Sequence, residues 1–240
     1  MKTYSVEYFD NVVSDDLRWK VWDYIQNQIF LAGMKDVSYT NADGVIVRYK
    51  PIEGKKEYLT GINNQHMHRT VFGNSEKEVE FRHNIIFKLW KEINSHFGDK
   101  FIIDGEPEGV LDKRYGVARC YVNALPDESI KRSHAVHRDT IDLDQEKTYT
   151  MLYIANLQWY PTWMGENVFY CDDESTLDTQ QFQKGKGQSR GFTVGEPYKI
   201  ISPMPGRVVL YDGRTLHTTK PTSWWAEQMR YAVVFRIREK

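Results

Sequence analysis

Cysteine is scarce in this sequence, and a long hydrophobic run is missing. The 240 residues include two cysteines, Cys120 and Cys171, and both stand in stretches with strand character. The opening MKTYSVEYFDNVV has no apolar signal-peptide core, and no segment approaches the ~18 apolar residues of a transmembrane helix. We therefore expect a cytoplasmic protein with no membrane partner, whose cysteines are buried free thiols rather than a disulfide.

An excess of either charge is also absent. With 32 basic and 33 acidic residues, the net charge is −1, which gives no electrostatic reason to expect nucleic acid or a membrane surface as partner. Aromatic residues are plentiful, at 14% of the chain. This composition is typical of a globular, β-rich protein with a substantial core, and we expect residues 1–240 to form a single domain.

Two amphipathic helices are predicted in the first hundred residues. Ser14, followed by two aspartates, is a typical N-cap, and Ser75 with Glu78 forms a capping-box signature. Apolar residues then recur at helical spacing, and the second series ends at Gly98. The two series are Leu17, Val21, Trp22, Ile25 and Ile29, and Ile86, Leu89, Trp90, Ile93 and Phe97. We interpret both as packing surfaces.

From about residue 101 the pattern becomes that of β-strands. The strand-like segments are GVARCYV, YTMLYIANL, ENVFYC, KIISP, RVVLY and RYAVVFRI. Many short strands without intervening helices favour an α+β, mainly β fold: a sandwich or jelly-roll core at 101–240, buttressed on one sheet by the helices and loops of 1–100. Residues 35–73 and 174–198 are predicted loops, the second a lid whose lysines face solvent.

The tripeptide His137-Arg138-Asp139 allows two kinds of chemistry. It matches the catalytic loop of protein kinases, but that motif continues with Leu and, five residues after the Asp, Asn. Here Thr140 and Asp144 occupy those positions. The Gly-rich loop, the V-A-I-K lysine and the D-F-G motif are missing as well, so the kinase interpretation fails.

A metal site is the other interpretation. Residues i and i+2 of a strand project to the same face, so His137 and Asp139 can share one cation while Arg138 points away. His217 follows a Val-Val-Leu-Tyr strand and an Asp-Gly turn, which places it well as a third ligand. Two imidazoles and one carboxylate leave open positions, as in non-haem Fe(II) oxygenases. His134 has an odd offset from His137 and is predicted to face elsewhere. We expect the other histidines to be structural; they are His66, His68, His83 and His96.

The second half of the chain resembles a known family. The segments YTMLYIANLQWYPTWMGENVFYCDD, PMPGRVVLYDGRTLHTTKP and RYAVVFRI are similar in content and order to motifs of the 2-oxoglutarate/Fe(II)-dependent dioxygenases, nearest the prolyl-hydroxylase branch. The resemblance covers residues 115–238. Where that family has two glycines before a Glu, this chain has Met164-Gly165-Glu166, and the segment from His217 to Arg230 is longer than in close relatives.

The resemblance implies a double-stranded β-helix with iron between its sheets, bound by His137, Asp139 and His217. It implies 2-oxoglutarate as co-substrate and O₂ as oxidant, and it allows ascorbate as a reductant. The reaction would be hydroxylation of an unactivated C–H bond. A prolyl residue of a peptide is the substrate that the nearest branch suggests, while free amino acids and secondary metabolites fit equally well.

The resemblance also implies the residues that hold the co-substrate. Arg230 would pair with the C5 carboxylate, a role for which a bidentate guanidinium is suited. Tyr121 and Tyr153 would contact the co-substrate through their hydroxyls. By period two, Arg230 and Arg236 share one face of the last strand, but we expect Arg236 to be an exposed residue at the strand end.

Two alternatives stay open. The spacing of Arg230 and Arg236 is the R-x₅-R of AlkB-type nucleic-acid demethylases, although the Asn-x-Tyr pattern and the basic stripe of such proteins are missing. A cupin-like module that binds a metal or small molecule without turnover would share the fold, but it would not need a carboxylate-binding arginine. The sequence thus predicts a small-molecule or peptide substrate. It does not indicate an oligomeric state, or whether basic residues in 184–190 contact substrate.

Overall fold

A computed structural model describes residues 2–27, 31–32, 38–40, 46–48, 67–72, 85–103, 120–125, 136–139, 148–172 and 194–239. The helices are α1 (Asp15–Gln26) and α2 (Ile85–His96). The strands are β1 (Val6–Phe9), β2 (Leu31–Ala32), β3 (Ser38–Thr40), β4 (Ile46–Arg48), β5 (Met67–Phe72), β6 (Phe101–Ile103), β7 (Cys120–Leu125), β8 (Thr148–Ile154), β9 (Asn167–Asp172), β10 (Val194–Ile201), β11 (Val208–Asp212), β12 (Leu216–Thr219) and β13 (Arg230–Glu239).

Both helices form where their apolar spacing predicts them. The buried apolar residues are Leu17, Val21 and Ile25 of α1 and Ile86, Leu89, Trp90 and Ile93 of α2. Ser14 does precede α1, but its side chain makes no capping hydrogen bond. Its backbone N–H instead donates to Glu92 on α2, at 2.5 Å. The helix α2 ends just before Gly98, whose φ of 69° suits a glycine terminator. The predicted capping box at Ser75 and the apolar Ile29 lie outside the described residues.

The larger sheet is antiparallel and is built around the ten-residue strand β13. Its strand order is β1-β11-β8-β13-β7-β5-β2, and β6 pairs with the far end of β13. Because side chains alternate along a strand, β13 has two different faces. Val233, Phe235 and Ile237 pack in one cluster of buried residues, while Ala232 and Val234 pack in another.

The two faces of this sheet are covered differently. On one face, the buried residues of α1 and α2 share a cluster with Val233, Phe235 and their neighbours. On the other face lies a smaller sheet of order β10-β9-β12. Phe169 of β9 and Ile201 of β10 pack there against residues of the larger sheet such as Val209. The protein is therefore mainly β, with antiparallel sheets and few helices among the described residues.

Two of the sequence predictions about loops are wrong in part. The segment 35–73 contains β3, β4 and β5, and residues 194–198 belong to β10. Glycine and proline in β10 suggested a loop, but within the described sheet this strand pairs only with β9. An edge strand tolerates Pro197, where the register also shifts. Strand structure also begins well before residue 101, since β1 pairs with β11. The rest of the predicted lid, 174–193, lies outside the described residues.

The cysteines are free, as predicted: Cys120 is buried in β7, and Cys171 is half-buried in β9. His96 is exposed on α2 and packs its ring against Phe9 and Phe97, which is a structural role. The backbone of His68 belongs to β5, while His66, His83 and His134 fall outside the described residues. None of the described helices has the length and apolar character needed to cross a bilayer.

Candidate metal centre

The short segment that carries His137 and Asp139 lies beside β12. His137 and His217 exchange two backbone hydrogen bonds, of 3.0 and 2.9 Å. The backbone N–H of Asp139 donates to the carbonyl of Gly213 at 2.9 Å, in the turn between β11 and β12. The Asp-Gly turn after the Val-Val-Leu-Tyr strand thus brings the distal histidine next to the His-x-Asp pair.

The three predicted ligands converge. One ligand atom from each of His137, Asp139 and His217 lies within 4.8 Å of the others. His137 Nε2 is 3.5 Å from Asp139 Oδ1, and His217 Nε2 is 3.7 Å from Asp139 Oδ2. The side chains of Asp139 and His217 are 4% and 7% exposed, whereas that of His137 is 43% exposed. The cluster is therefore buried on two sides and open to solvent along His137.

His217 is held in the form that a metal requires. Its Nδ1 is 3.0 Å from the carbonyl oxygen of Thr215. Because a carbonyl oxygen only accepts, Nδ1 carries the proton and Nε2 presents its lone pair towards Asp139. Burial, together with the nearby His137, holds the pKa of His217 well below its usual value. The imidazole is therefore neutral at neutral pH and able to coordinate.

Asp139 is a buried carboxylate with several protein partners. Arg236 Nη2 lies 2.5 Å from Oδ1, and the hydroxyls of Thr150 and Tyr211 donate to Oδ2 at 2.6 and 2.8 Å. These contacts offset the cost of removing the carboxylate from water. The expectation that Arg236 is exposed is wrong, because β13 continues to Glu239 and Arg236 is only 7% exposed in mid-strand.

Tyr211 is a site residue that the sequence analysis missed. It lies in β11, and its hydroxyl is 3.2 Å from His217 Nε2 as well as bonded to Asp139. Burial raises the pKa of Tyr211 far above its usual value, so the hydroxyl is a donor. Alternation along RVVLYD would have placed Tyr211 on the same face as Val209, in the strand that precedes the turn to His217.

Arg230 opens β13 and points into the same space. It is 3% exposed, and its Nη2 donates to Asn167 Oδ1 at 3.2 Å. Its Nε has no hydrogen-bond partner within the described residues. Burial lowers the pKa of Arg230 to about 10, so the guanidinium is still cationic at neutral pH. A buried cation with an unused donor is suited to an anionic ligand.

The Gly-Glu turn gives this side chain its room. A Cβ on Gly165 would lie 3.1 Å from Arg230 Cδ and 3.2 Å from Thr222 Cγ2. Met164, where the resembled family has a glycine, keeps a glycine-like backbone with φ 58° and ψ −143°. Non-glycine residues in this region carry strain of about 1–3 kcal/mol. The turn is therefore shaped for Arg230 at some cost in backbone energy.

The two predicted tyrosines face different ways. Tyr121 of β7 packs, partly buried, against the cluster between the sheets. Tyr153 of β8 packs in the helix-facing cluster, where burial raises its pKa to about 12 and Arg18 of α1 forms a hydrogen bond with it. The structure therefore does not bring Tyr153 to the metal centre. The prediction that Tyr153 lies in a strand is correct. Its side chain, however, points to the face of the sheet that packs against the helices.

The antiparallel sheets and the His-Asp-His cluster together define a class of protein: β-rich proteins with a candidate metal site. Comparison with solved structures shows which known folds this one resembles. It is similar to a prolyl-4-hydroxylase from Pseudomonas putida, with a TM-score of 0.50, 10% identity, and coverage of 99% of this chain and 94% of that one. The predicted resemblance to 2-oxoglutarate/Fe(II) dioxygenases of the prolyl-hydroxylase branch is thus confirmed at the level of the fold.

Two further structures are similar. One is a prolyl hydroxylase from Trichoplax adhaerens in complex with a peptide fragment of the oxygen degradation domain of hypoxia inducible factor, with a TM-score of 0.49, 16% identity, and coverage of 98% of this chain and 83% of that one. The other is an oxidoreductase of the 2OG-Fe(II) oxygenase family from Burkholderia pseudomallei, with a TM-score of 0.39, 12% identity, and coverage of 72% and 67%. No family model matches the sequence, and no curated protein does.

Proposed function

We propose that this protein is an Fe(II)- and 2-oxoglutarate-dependent dioxygenase that hydroxylates an unactivated C–H bond. One observation carries the proposal: ligand atoms of His137, Asp139 and His217 lie within 4.8 Å of one another, and the buried Arg230 faces the same space between the sheets. The fold shared with the Pseudomonas putida prolyl-4-hydroxylase supports it.

The donor set fits iron. Two imidazole nitrogens and one carboxylate oxygen, all from one side, are the ligands of non-haem Fe(II) oxygenases and leave positions for exogenous ligands. When bound, the iron supplies O₂ activation, coupled to conversion of 2-oxoglutarate to succinate and CO₂. The residues around it fix the ligands: Thr215 orients His217, while Arg236 and Tyr211 hold Asp139.

Arg230 fits the co-substrate. A dicarboxylate that enters the space between the sheets needs a cation at its far end, and Arg230 is a buried guanidinium whose Nε has no hydrogen-bond partner in the described structure. We propose that Arg230 binds the C5 carboxylate of 2-oxoglutarate. The hydroxyl of Tyr121, on the same side of the sheet, would make a second contact with the co-substrate. We also propose that the two sheets form a double-stranded β-helix within a single domain of 1–240.

A prolyl residue in a peptide is the substrate class that we propose. Its support is the named activity of the Pseudomonas putida enzyme with the same fold. The solvent-exposed edge at His137 leaves an approach for a bulky substrate. Arg230 and Arg236 have the R-x₅-R spacing seen in AlkB-type demethylases, and both are buried, so alkylated oligonucleotides belong in the same test.

The first experiment is an anaerobic absorption spectrum with Fe(II) and 2-oxoglutarate. Chelation of the metal by the co-substrate should give a weak visible charge-transfer band in the wild type and none in His217→Ala. Succinate release is then measured with prolyl peptides, free amino acids and alkylated oligonucleotides. A flat wild-type spectrum, with metal bound, would reject the oxygenase and favour a cupin-like binding module.

A second experiment tests the co-substrate residue. Arg230→Ala should weaken 2-oxoglutarate binding by roughly thirty-fold or more, because a buried charge pair is lost. Arg207→Ala is the matched control, since Arg207 pairs with Asp10, which follows the end of β1, and the Asp10 side chain is 42% exposed. Normal 2-oxoglutarate binding by Arg230→Ala would remove the assignment.

A further inference from the structure

The side chain of Asn156 makes two hydrogen bonds, to the backbone of the residues before and after Arg230. Its Nδ2 donates to the carbonyl of Met229 at 2.9 Å, and its Oδ1 accepts from the N–H of Tyr231 at 2.7 Å. The side chain is buried, at 1% exposure. One amide group thus binds the backbone on both sides of the arginine that opens β13.

The position of Asn156 explains why this amide is needed. The ladder between β8 and β13 continues to Ala232 opposite Ile154, and the N–H of Ala155 still donates to the carbonyl of Tyr231 at 3.0 Å. Beyond Ala155 the register between the two strands ends. The Asn156 side chain then supplies the hydrogen bonds that the β8 backbone no longer makes.

Arg230 depends on this support more than an ordinary strand residue would. On its other side the backbone pairs with Leu125 of β7. Its side chain passes close to Gly165 and donates to Asn167, so a shift of the strand end would move the guanidinium within a confined space. We infer that Asn156 is a positioning residue for Arg230 and thereby sets the affinity of the site for a dicarboxylate co-substrate. This inference rests on the proposed function.

Asn94 provides a matched control from the same chain. Its Nδ2 donates to the carbonyl of Phe101 at 3.0 Å, and its Oδ1 accepts from the N–H of Phe101 at 3.2 Å. It is 5% exposed and supports the start of β6 from α2, on the helix side of the larger sheet. Asn94→Ala therefore removes the same pair of side-chain bonds, at similar burial, without touching β8 or the start of β13.

The experiment is calorimetric titration of Mn(II)-loaded protein, without turnover, with 2-oxoglutarate and with 2-oxopentanoate. The second compound has the same carbon chain but no distal carboxylate. Asn156→Ala should raise the Kd of 2-oxoglutarate by about five- to thirty-fold, the size expected for two lost hydrogen bonds. It should leave the Kd values of 2-oxopentanoate and Mn(II) within about two-fold. Asn94→Ala should change none of the three, although both variants lower the unfolding midpoint.

Each other outcome has a defined meaning. Equal weakening of 2-oxoglutarate and 2-oxopentanoate by Asn156→Ala would overturn the inference, because it would show a general distortion. So would an effect no larger than that of Asn94→Ala while Arg230→Ala still weakens 2-oxoglutarate, and the proposed function would then stand. Normal binding by Arg230→Ala would instead overturn the co-substrate assignment itself. If the alanine variant does not fold, Asn156→Ser against Asn94→Ser makes the same comparison.

Discussion

At the scale of single residues, the candidate metal centre depends on side chains that are not among its three proposed ligands. Tyr211 shows this best, because one hydroxyl donates to Asp139 and lies beside Nε2 of His217. Without it, the Asp139 carboxylate keeps Arg236 and Thr150 but loses a donor on Oδ2, and the imidazole loses a neighbour that limits its rotation. Mutation of groups that orient ligands in this way typically weakens metal affinity by about 10- to 100-fold.

We therefore predict that Tyr211→Phe weakens Mn(II) binding by about ten-fold. It should cost about 1 kcal/mol of stability from the lost hydrogen bond. Tyr153→Phe is the control, since Tyr153 packs in the helix-facing cluster, where its hydroxyl bonds with Arg18 of α1 on the other face of the sheet. It should cost similar stability and leave Mn(II) affinity unchanged. Isothermal titration and urea unfolding give both quantities, and equal Mn(II) affinity in all three proteins would contradict the role of Tyr211.

At the scale of elements, Arg138 connects three pieces of chain. It stands between His137 and Asp139 but points away from them, as period two predicts. Its Nη2 pairs with Asp172 at the end of β9 at 2.7 Å, and its Nη1 donates to the carbonyl of Arg214 at 2.5 Å. Both side chains of the ion pair are 4% exposed. Arg138 thus attaches the segment that carries His137 and Asp139 to the end of β9 and to the turn before β12.

The predicted effect is a double-mutant pattern. Arg138→Met should destabilise the fold by about 3–5 kcal/mol, because the Asp172 carboxylate is left buried without its partner. Adding Asp172→Leu should recover much of that loss, since two apolar side chains carry no unpaired charge. Arg207→Met is the control: the Asp10 side chain is 42% exposed, so the carboxylate left behind stays hydrated and the loss should be no more than about 1 kcal/mol. Urea unfolding measures each value, and additive losses in the double variant would refute the prediction.

The elements were predictable from sequence where the pattern was periodic. Helical spacing identified α1 and α2, and alternation gave the two faces of β13 and the shared face of His137 and Asp139. Prediction failed where contacts between distant parts of the chain, and not the local pattern, determined the structure. Pro197 suggested a loop but lies in an edge strand, and Tyr153 was taken from the right strand on the wrong face. Arg236 appeared terminal, because the polar residues after it hid the continuation of β13.

At the scale of the whole molecule, the candidate site joins parts of the chain that are distant in sequence. His137 comes from a short segment, His217 from the smaller sheet, and Arg230 and Tyr211 from the larger one. The order of motifs along the sequence indicated this convergence, but the distances between the side chains could come only from the folded structure. A ligand at this site therefore binds the assembled sheets and not the unfolded chain, so metal binding should be coupled to folding.

Proton binding is also coupled to folding, and this predicts how the stability of the metal-free protein depends on pH. Burial holds the pKa of His217 well below its usual value of 6.5. As the pH falls through about 6.5, the unfolded chain takes up a proton at this residue before the folded protein does, so stability is full above that pH and declines below it. The decline between pH 7.5 and 5.5 should be clearly smaller in His217→Gln, which cannot be protonated.

His96→Gln is the control for this prediction, because it replaces an exposed imidazole on α2 and leaves the buried His217 in place. Urea unfolding at the two pH values, in the presence of a chelator, supplies the comparison. Mn(II) added at 100 times its Kd should raise wild-type stability at pH 7.5 by about 2.7 kcal/mol, and the gain should shrink at pH 5.5 as protons compete for the imidazoles. A His217→Gln protein with the full wild-type decline would show that the buried imidazole does not control acid stability.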